Sequence, residues 1–566
     1  MLYKKINMMI KRKFAALLSL ATWMYSCHLP QKDKKDQRPN IVVILADDMG
    51  FSDPGCFGGE IHTPNIDWLA KNGTRFTNFY NTSRCCPTRA SLLTGLYNQA
   101  AGIGEMTTDQ HKSGYRGYLT DNTVTIAEVL KSAGYQTAMS GKWHVSNTNV
   151  QPTKKEQLAW LNHQAFHPYF SPLDQYPIKR GFDKFYGTIW GVVDYFDPFS
   201  LVHDSTAVRE VPKGYYHTDA INDSASAFIR QMSGKDQPFF LYVAENAAHW
   251  PLMAKPADIA KYQNTYKDGW EAIREARYKR MTEMGLIDTS KAALSPRWHK
   301  ELSWKDNPDS VWDARAMAVH AAMVDCMDQG IGRILKTLRE TGQLDNTLII
   351  FLSDNGASAE VCANYGPGFD RPSETRDGRP IVYATKKQRL AGPETTYSSI
   401  GERWANVVNA PYRFWKADSY EGGIHTPMIA YWPKGLKLKK GGFNDHLGHV
   451  MDFMATFVDL AKAKYPRTFH GHTITPTQGL SMAPVFKGEK PETHRALFNE
   501  HFGSRYARSG GWKLVKKGTK DSWHLYHIDE DETELYDLAD RYPDKVHQLD
   551  SMWQDWANKV HVFPKP

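Results

Sequence analysis

The sequence is poor in cysteine, in long apolar runs and in clustered charge. Six cysteines in 566 residues, at positions 27, 56, 85, 86, 326 and 362, are too few and too scattered for a disulfide framework, and none has metal-ligand spacing. A single pair such as Cys56–Cys362 stays open. Beyond the first 27 residues no stretch is apolar and long enough to span a membrane. The body carries no basic run of the kind that binds nucleic acid. The net charge of +8 is a mild excess spread along the chain, including five basic residues among the first thirteen, and it favours anionic substrates only weakly. There is no internal repeat and no low-complexity tract.

Hydrophobic residues at 41% and charged residues at 23% read as globular, and the length suffices for a large α/β domain with a smaller companion. The N-terminus reads as a targeting segment. Lys4, Lys5, Lys11, Arg12 and Lys13 form a basic region, and Phe14 to Tyr25 is an apolar core too short for a comfortable span. Ser26 and Cys27 follow, in the order of a bacterial lipoprotein signal. The expectation is a signal over 1–27 with Cys27 lipidated, a polar tether over 28–38, a catalytic domain over 39–440 and a C-terminal subdomain over 441–566. The protein is then exported, to the periplasm or as an outer-membrane lipoprotein, touching membrane only through that anchor; plain signal cleavage gives a soluble periplasmic protein instead.

Asn40 to Ala46 is a continuous apolar run, read as a parallel strand buried on both faces. Strands are also expected at Phe76–Tyr80, Tyr135–Ser140, Pro238–Ala244, Thr347–Leu352 and Pro427–Trp432. Helices are expected from Pro64, over Val124–Ala133, over Ala220–Gln231 and over Ala316–Leu338. This alternation predicts a large, mainly parallel, doubly wound sheet flanked by helices. After about residue 440, a helix over Met451–Ala461, short strands near Arg495–Asn499, Arg505–Ser509, Trp512–Lys516 and His524–His527, and a helix over Pro543–Val560 predict a smaller antiparallel sheet with a terminal helix. Three long connections, about 145–215, 252–315 and 357–415, are rich in aromatic residues and are expected to shape a cleft.

In such sheets ligands bind beyond the carboxyl ends of the strands. Asp47 and Asp48, Lys142 and His144, His249, and Asp354 and Asn355 each follow a strand. Singly, each has a bland reading as a cap or a structural side chain; jointly, on one rim, capping does not explain them. Asp47, Asp48, Asp354 and Asn355 are hard oxygen donors that suit Ca²⁺ or Mg²⁺ and are poor for zinc, with the irregular Asp/Asn mixture favouring Ca²⁺. Cys85 opens a short helical run from Thr88 to Leu93 that Gly95 stops, so it sits where free backbone N–H groups meet a developing anion, and Arg89 lies one turn later. A thiol phosphatase needs arginine six positions after its cysteine, where this chain has Ser91 or Leu92.

The run Cys85-x-Pro87-x-Arg89 with Ala90-Ser91-Leu92-Leu93-Thr94-Gly95 resembles the signature of the type I sulfatases, within the alkaline phosphatase superfamily. The resemblance extends to Asn40–Gly50 with its paired Asp, Gly141-Lys142-Trp143-His144, Ala248-His249-Trp250-Pro251, Ser353-Asp354-Asn355-Gly356, Lys416 with Tyr420-Glu421-Gly422-Gly423, and the closing Trp512-Lys513-Leu514 and Glu534-Leu535-Tyr536-Asp537-Leu538. One departure is His425, where many members carry arginine. The resemblance implies that a maturation enzyme oxidises Cys85 to formylglycine, whose hydrate attacks sulfur and forms a covalent sulfo-enzyme. It implies one divalent cation held by Asp47, Asp48, Asp354 and Asn355 and touching the residue-85 nucleophile. His249 would help protonate the leaving oxygen and Lys416 hold sulfate. Lys142 and Arg89 would stabilise the diol, and His144 take the proton that ejects sulfate.

The expected activity is therefore sulfuric ester hydrolysis, arylsulfatase-like, on a sulfated small molecule or saccharide. Two rivals remain at this stage. A phosphodiester or phosphonate ester hydrolase of the same superfamily keeps the fold but would want more cationic help or a second metal. A surface glycan-binding protein would keep the cleft and lack the aldehyde.

Overall fold

The computed structural model describes residues 36–384 and 388–562. The basic and apolar leader, Cys27 and most of the tether lie outside the described residues. Among the described residues no helix is long and apolar enough to cross a membrane.

The main sheet has ten strands: β1 (Asn40–Ala46), β2 (Thr74–Phe76), β3 (Gln136–Gly141), β4 (Lys184–Thr188), β5 (Leu201–His203), β6 (Thr206–Ala207), β7 (Phe239–Ala244), β8 (Thr347–Ser353), β9 (Met428–Tyr431) and β10 (Gly442–Asn444). Their order is β10-β2-β9-β8-β1-β7-β3-β4-β5-β6. The central five, β8-β1-β7-β3-β4, are mutually parallel. β9 runs antiparallel to both neighbours, and β5 and β6 form an antiparallel edge.

The apolar run of β1 is explained by its two-sided burial. Val42, Ile44 and Ala46 enter one core; Ile41, Val43 and Leu45 enter the other. The first core lies under α1 (Pro64–Asn72), α4 (His217–Ser233) and α5 (Ser310–Glu340). The second lies under α2 (Cys85–Thr94), α3 (Ile126–Ser132) and α6 (Asp452–Ala461). A capping box starts α3: Thr125 Oγ1 accepts from the Glu128 N–H at 3.1 Å, and Glu128 Oε2 accepts from the Thr125 N–H at 2.7 Å.

The expected strand at 76–80 is divided. Thr74–Phe76 joins the main sheet, whereas Phe79–Tyr80 pairs with Gly448–His449. The two pieces are short, and Phe76, Phe79 and Tyr80 are spread across them, so the composition of the stretch hides the break. The expected smaller sheet is present: β11 (Leu497–His501), β12 (Ser504–Ser509), β13 (Trp512–Lys516) and β14 (His524–His527) pair antiparallel in sequence order. α7 (Pro543–Val560) covers it through Leu549, Trp553 and Trp556.

Candidate active site

The C-terminal ends of β8, β1, β7 and β3 are neighbours, so the residues that follow them share one rim. β1 delivers Asp47 and Asp48, β8 Asp354 and Asn355, β7 the loop with His249, and β3 Lys142 and His144. β9 is antiparallel, with Met428 opposite Leu352, so its start faces the end of β8. The loop before β9 therefore brings Lys416 to the same rim. α2 points its N-terminus there; Arg84 enters in extended conformation, Cys85 is the first helical residue, and Gly95 ends the helix at φ 71°.

Six sequence-selected polar side chains and Cys85 lie together and are nearly all sealed: Asp47, Arg89, Lys142, Asp354 and Asn355 are fully buried, Asp48 is 2% and Cys85 1% exposed. Lys142 Nζ donates to Asp47 Oδ2 at 2.5 Å. Arg89 donates to Asp354 Oδ2 through Nη2 at 2.8 Å and Nε at 3.2 Å, and to the Lys142 carbonyl at 3.0 Å. Lys416 Nζ sits 2.8 and 2.9 Å from the two oxygens of Asp48, and Asn355 Nδ2 donates to Asp48 Oδ1 at 2.6 Å. His249 Nε2 faces Asp48 Oδ2 at 3.5 Å, while its Nδ1 bonds the Trp250 carbonyl at 2.5 Å. A carbonyl only accepts, so Nδ1 carries the proton and the neutral ring presents Nε2 to the site.

These contacts decide the charge states. Burial, aided by the charge of Asp354, pushes Asp47 up to about 7. Burial also raises Asp48, but Lys416 and His249 outweigh it and hold that carboxyl below its usual value. Burial lowers His144 to about 4, so the ring is neutral at pH 7 and able to accept a proton. The Cys85 thiol is held well below its usual range, chiefly by the Cys86 hydrogen bond, with Lys142 and His144 adding to it against burial.

The oxygen donors fit a hard divalent cation. Asp47 Oδ1 and Asn355 Oδ1 are buried without a hydrogen-bond partner, a costly state unless something else takes their lone pairs. The ligand atoms of Asp47, Asp48 and His249 lie within 4.8 Å of one another, as do those of Cys85, Cys86 and His144. Cys85 thus groups with Cys86 and His144, and it is also near enough to Asp48 and Asp354 for their charges to interact. Cys86, which the sequence leaves without a role, has the Glu105 carbonyl 3.3 Å from its Sγ as an alternative acceptor for its single S–H. The five described cysteines are free, so Cys56 and Cys362 are not bonded.

Three neighbours of the site lie outside the sequence motifs, although Tyr195 belongs to the aromatic set of a connection expected to shape the cleft. Gly191 lies against the His144 ring; a Cβ there would come within 2.4 Å of it, so only glycine lets the ring occupy its place. Tyr195 Oη donates to the His249 carbonyl at 2.9 Å and fixes that loop. Glu360 faces Lys416 Nζ at 3.6 Å. None of the three belongs to a motif; Gly191 and Tyr195 come from the 145–215 connection and Glu360 from the 357–415 connection. His425, the departure noted above, lies outside the rim cluster, between Glu421 Oε2 at 2.9 Å and the Thr77 carbonyl at 2.8 Å.

Comparison with known proteins agrees in kind. A family profile described as Sulfatase matches residues 39–463, and one described as N-sulphoglucosamine sulphohydrolase, C-terminal, matches residues 412–558. An uncharacterised sulfatase of Schizosaccharomyces pombe is 33% identical over 94% of this chain and 96% of its own. An arylsulfatase of Klebsiella aerogenes is 31% identical over 80% of this chain and 92% of its own. Among solved structures, the protein Ps i-CgsB in complex with k-i-k-neocarrahexaose is similar with a TM-score of 0.63 at 25% identity, covering 92% of this chain and 93% of that one.

Proposed function

This chain belongs to the sulfatase family, and on that premise we propose that it hydrolyses sulfate monoesters of extracellular saccharides with residue 85, oxidised to formylglycine, as nucleophile. The observation that carries the reading is the joint placement of Arg89, Lys142 and Lys416 with Asp47, Asp48 and Asp354 at the N-terminus of α2, directly against Cys85. Three cations confront three carboxylates. Asp47, Asp48 and Asp354, were they to hold a divalent cation, would leave the three basic side chains available to a sulfate group.

Asp47, Asp48, Asp354 and Asn355 would hold a divalent cation, Ca²⁺ by the irregular donor set, which supplies charge compensation for the bound ester. Formylglycine supplies a hydrated aldehyde that can take sulfate and release it without attack by a second water. The other roles belong to the chain as encoded. The first N–H groups of α2 and the side chains of Lys142 and Arg89 stabilise negative charge at position 85. Lys416 holds a sulfate oxygen. To act as the acid, His249 must first take a proton at Nε2, the nitrogen turned into the site, and the resulting imidazolium passes that proton to the leaving oxygen. His144, kept neutral by burial, accepts the proton whose removal ejects sulfate.

A saccharide substrate draws support from the carrahexaose complex of the similar structure and from this chain's own loops. Tyr169 and Phe369 are 51% and 43% exposed on the long connections, aromatic surface on which a sugar ring can rest. The basic and apolar leader favours placing the protein outside the cytoplasm.

The test is mass spectrometry of the Cys85 peptide from protein made in its native host, alongside turnover of matched aryl sulfate and aryl phosphodiester. The aldehyde at position 85 and dominant sulfate turnover are expected. An unmodified thiol in active protein, or dominant diesterase activity, removes the proposal.

A further inference from the structure

Arg84 and Lys416 converge on a carboxylate that none of these steps uses. Glu360 Oε1 accepts from Arg84 Nη2 at 2.9 Å and from Tyr365 Oη at 2.9 Å. Glu360 Oε2 accepts from Trp250 Nε1 at 2.9 Å and Ser358 Oγ at 3.1 Å, and faces Lys416 Nζ at 3.6 Å. Arg84 directly precedes Cys85, and Trp250 directly follows His249. One side chain therefore ties the flank of the nucleophile, the flank of the proposed acid and a basic residue of the sulfate site. Tyr365 also stacks on Trp250, ring centroids 5.4 Å apart and 15° from parallel.

The charge arrangement shows why a carboxylate is needed there. Lys416 has Asp48 as its nearest partner, but Asp48 also accepts from Asn355 and is one of the proposed cation ligands. A carboxylate shared with a divalent cation is a weak counter-charge for a lysine. Glu360 is then the remaining anion beside Lys416 and the direct partner of Arg84. Burial would favour its neutral form, yet Arg84 and Lys416 keep it well below the usual carboxylate range, so it stays ionised. The Arg84 and Glu360 side chains are each 15% exposed, so the pair is within reach of solvent rather than sealed in the core.

We propose that Glu360 is a positioning residue that offsets the positive charge of Arg84 and Lys416 so that the site binds the ester and still releases inorganic sulfate. The inference rests on the sulfatase reading above. A sulfate monoester carries one negative charge, and free sulfate at neutral pH carries two. Each uncompensated cation therefore strengthens product binding more than substrate binding. Without Glu360, Arg84 and Lys416 would both present full charge to the dianion.

The experiment compares wild type with Glu360→Gln, which keeps size and most hydrogen bonds and removes the charge. Sulfate dissociation constants come from calorimetry on the metal-loaded, matured protein, and kcat and KM from an aryl sulfate. Glu360→Gln is expected to bind sulfate roughly tenfold tighter or more, with kcat reduced by a similar factor and KM lowered less than the sulfate constant. Glu360→Asp should return the sulfate constant toward wild type, and Tyr365→Phe, which removes only one neutral contact, should leave it within about twofold. Unchanged or weaker sulfate binding in Glu360→Gln overturns the proposal whatever happens to kcat, because a purely structural defect cannot tighten product binding. Failure of the sulfatase reading is separable, since it appears as absent aryl sulfate turnover in wild type.

Discussion

At position 354 one carboxylate serves two masters. Asp354 binds Arg89 through two nitrogens with no solvent between them, and it belongs to the proposed cation set. Asp354→Ala should lower both bound divalent metal, measured by elemental analysis, and turnover, the latter by about 100-fold. It should also destabilise the fold by about 3–5 kcal/mol, because buried Arg89 loses its two-nitrogen partner and keeps only Asp47, 3.6 Å away, as counter-charge. Metal content equal to wild type would refute the assignment. Asp48, Ser83, His144 and Ala417, all beside the site, sit in the left-handed region at φ 58°, 63°, 53° and 72°. Non-glycine residues there are strained, which is consistent with a site whose geometry is imposed by its surroundings. Glu245 provides a pH test. It is buried, accepts from Asn222 at 2.7 Å and leaves Oε2 without a partner, and burial pushes its carboxyl up to about 8. The folded state thus keeps a proton that the unfolded state loses above about pH 4.5. Stability from this group is complete below that pH and declines as pH rises toward 8. Glu245→Gln should melt like wild type at pH 5 and a few degrees higher at pH 8; a constant difference across that range would contradict the buried proton.

Among the elements, β9 matters most for the site, because its antiparallel course returns the 416–423 loop to the rim. That loop and the one after β8 meet backbone to backbone: the Gly356 N–H donates to the Gly423 carbonyl at 3.1 Å, and a Cβ on Gly356 would lie 1.8 Å from the Gly422 carbonyl oxygen. No rotamer relieves a clash of Cβ with main chain. Gly356→Ala should cost about 1–3 kcal/mol by overpacking and reduce turnover by about tenfold or more, since Asp354 and Asn355 immediately precede it. Normal kinetics in a folded Gly356→Ala would show that the two loops tolerate separation. The elements most legible in the sequence were those buried on both faces. β1, β7 and β8 are unbroken apolar runs because each is covered by helices on two sides. The stretch Phe76–Tyr80 reads as one strand, since two short segments with different partners look the same in sequence as one longer segment.

At the scale of the whole molecule, the smaller sheet is tied to the catalytic half by a buried charge cluster. Lys513 on β13 reaches Glu421 and Glu534, each at 2.7 Å, with no side chain of the three more than 1% exposed. Glu421 also accepts from His425 at 2.9 Å and from Tyr80 at 2.8 Å. Glu421 lies in the very loop that rests on Gly356. Lys513→Met should therefore leave two carboxylates buried without their shared cation, lowering stability by about 3–5 kcal/mol. It should also lower turnover although the residue is not part of the rim cluster. A melting temperature and kcat both equal to wild type would show that the smaller sheet is only an attachment.

The sequence by itself determined the family signature at Cys85, the parallel core strands and the polar residues at their ends, because these are local: a helix start, an apolar run, a residue after a strand. It also singled out the residues that the tertiary structure brings to one rim, Asp47, Asp48, Arg89, Lys142, His144, His249, Asp354, Asn355 and Lys416. Only the tertiary structure decided the direction of β9, the pairing of Arg89 with Asp354 and the existence of the Glu360 hub. Glu360 meets Arg84 across 276 positions and Trp250 across 110. A carboxylate in a loop looks solvated in sequence; the partners that hold it charged and part-buried become neighbours only when the sheet orders its strands.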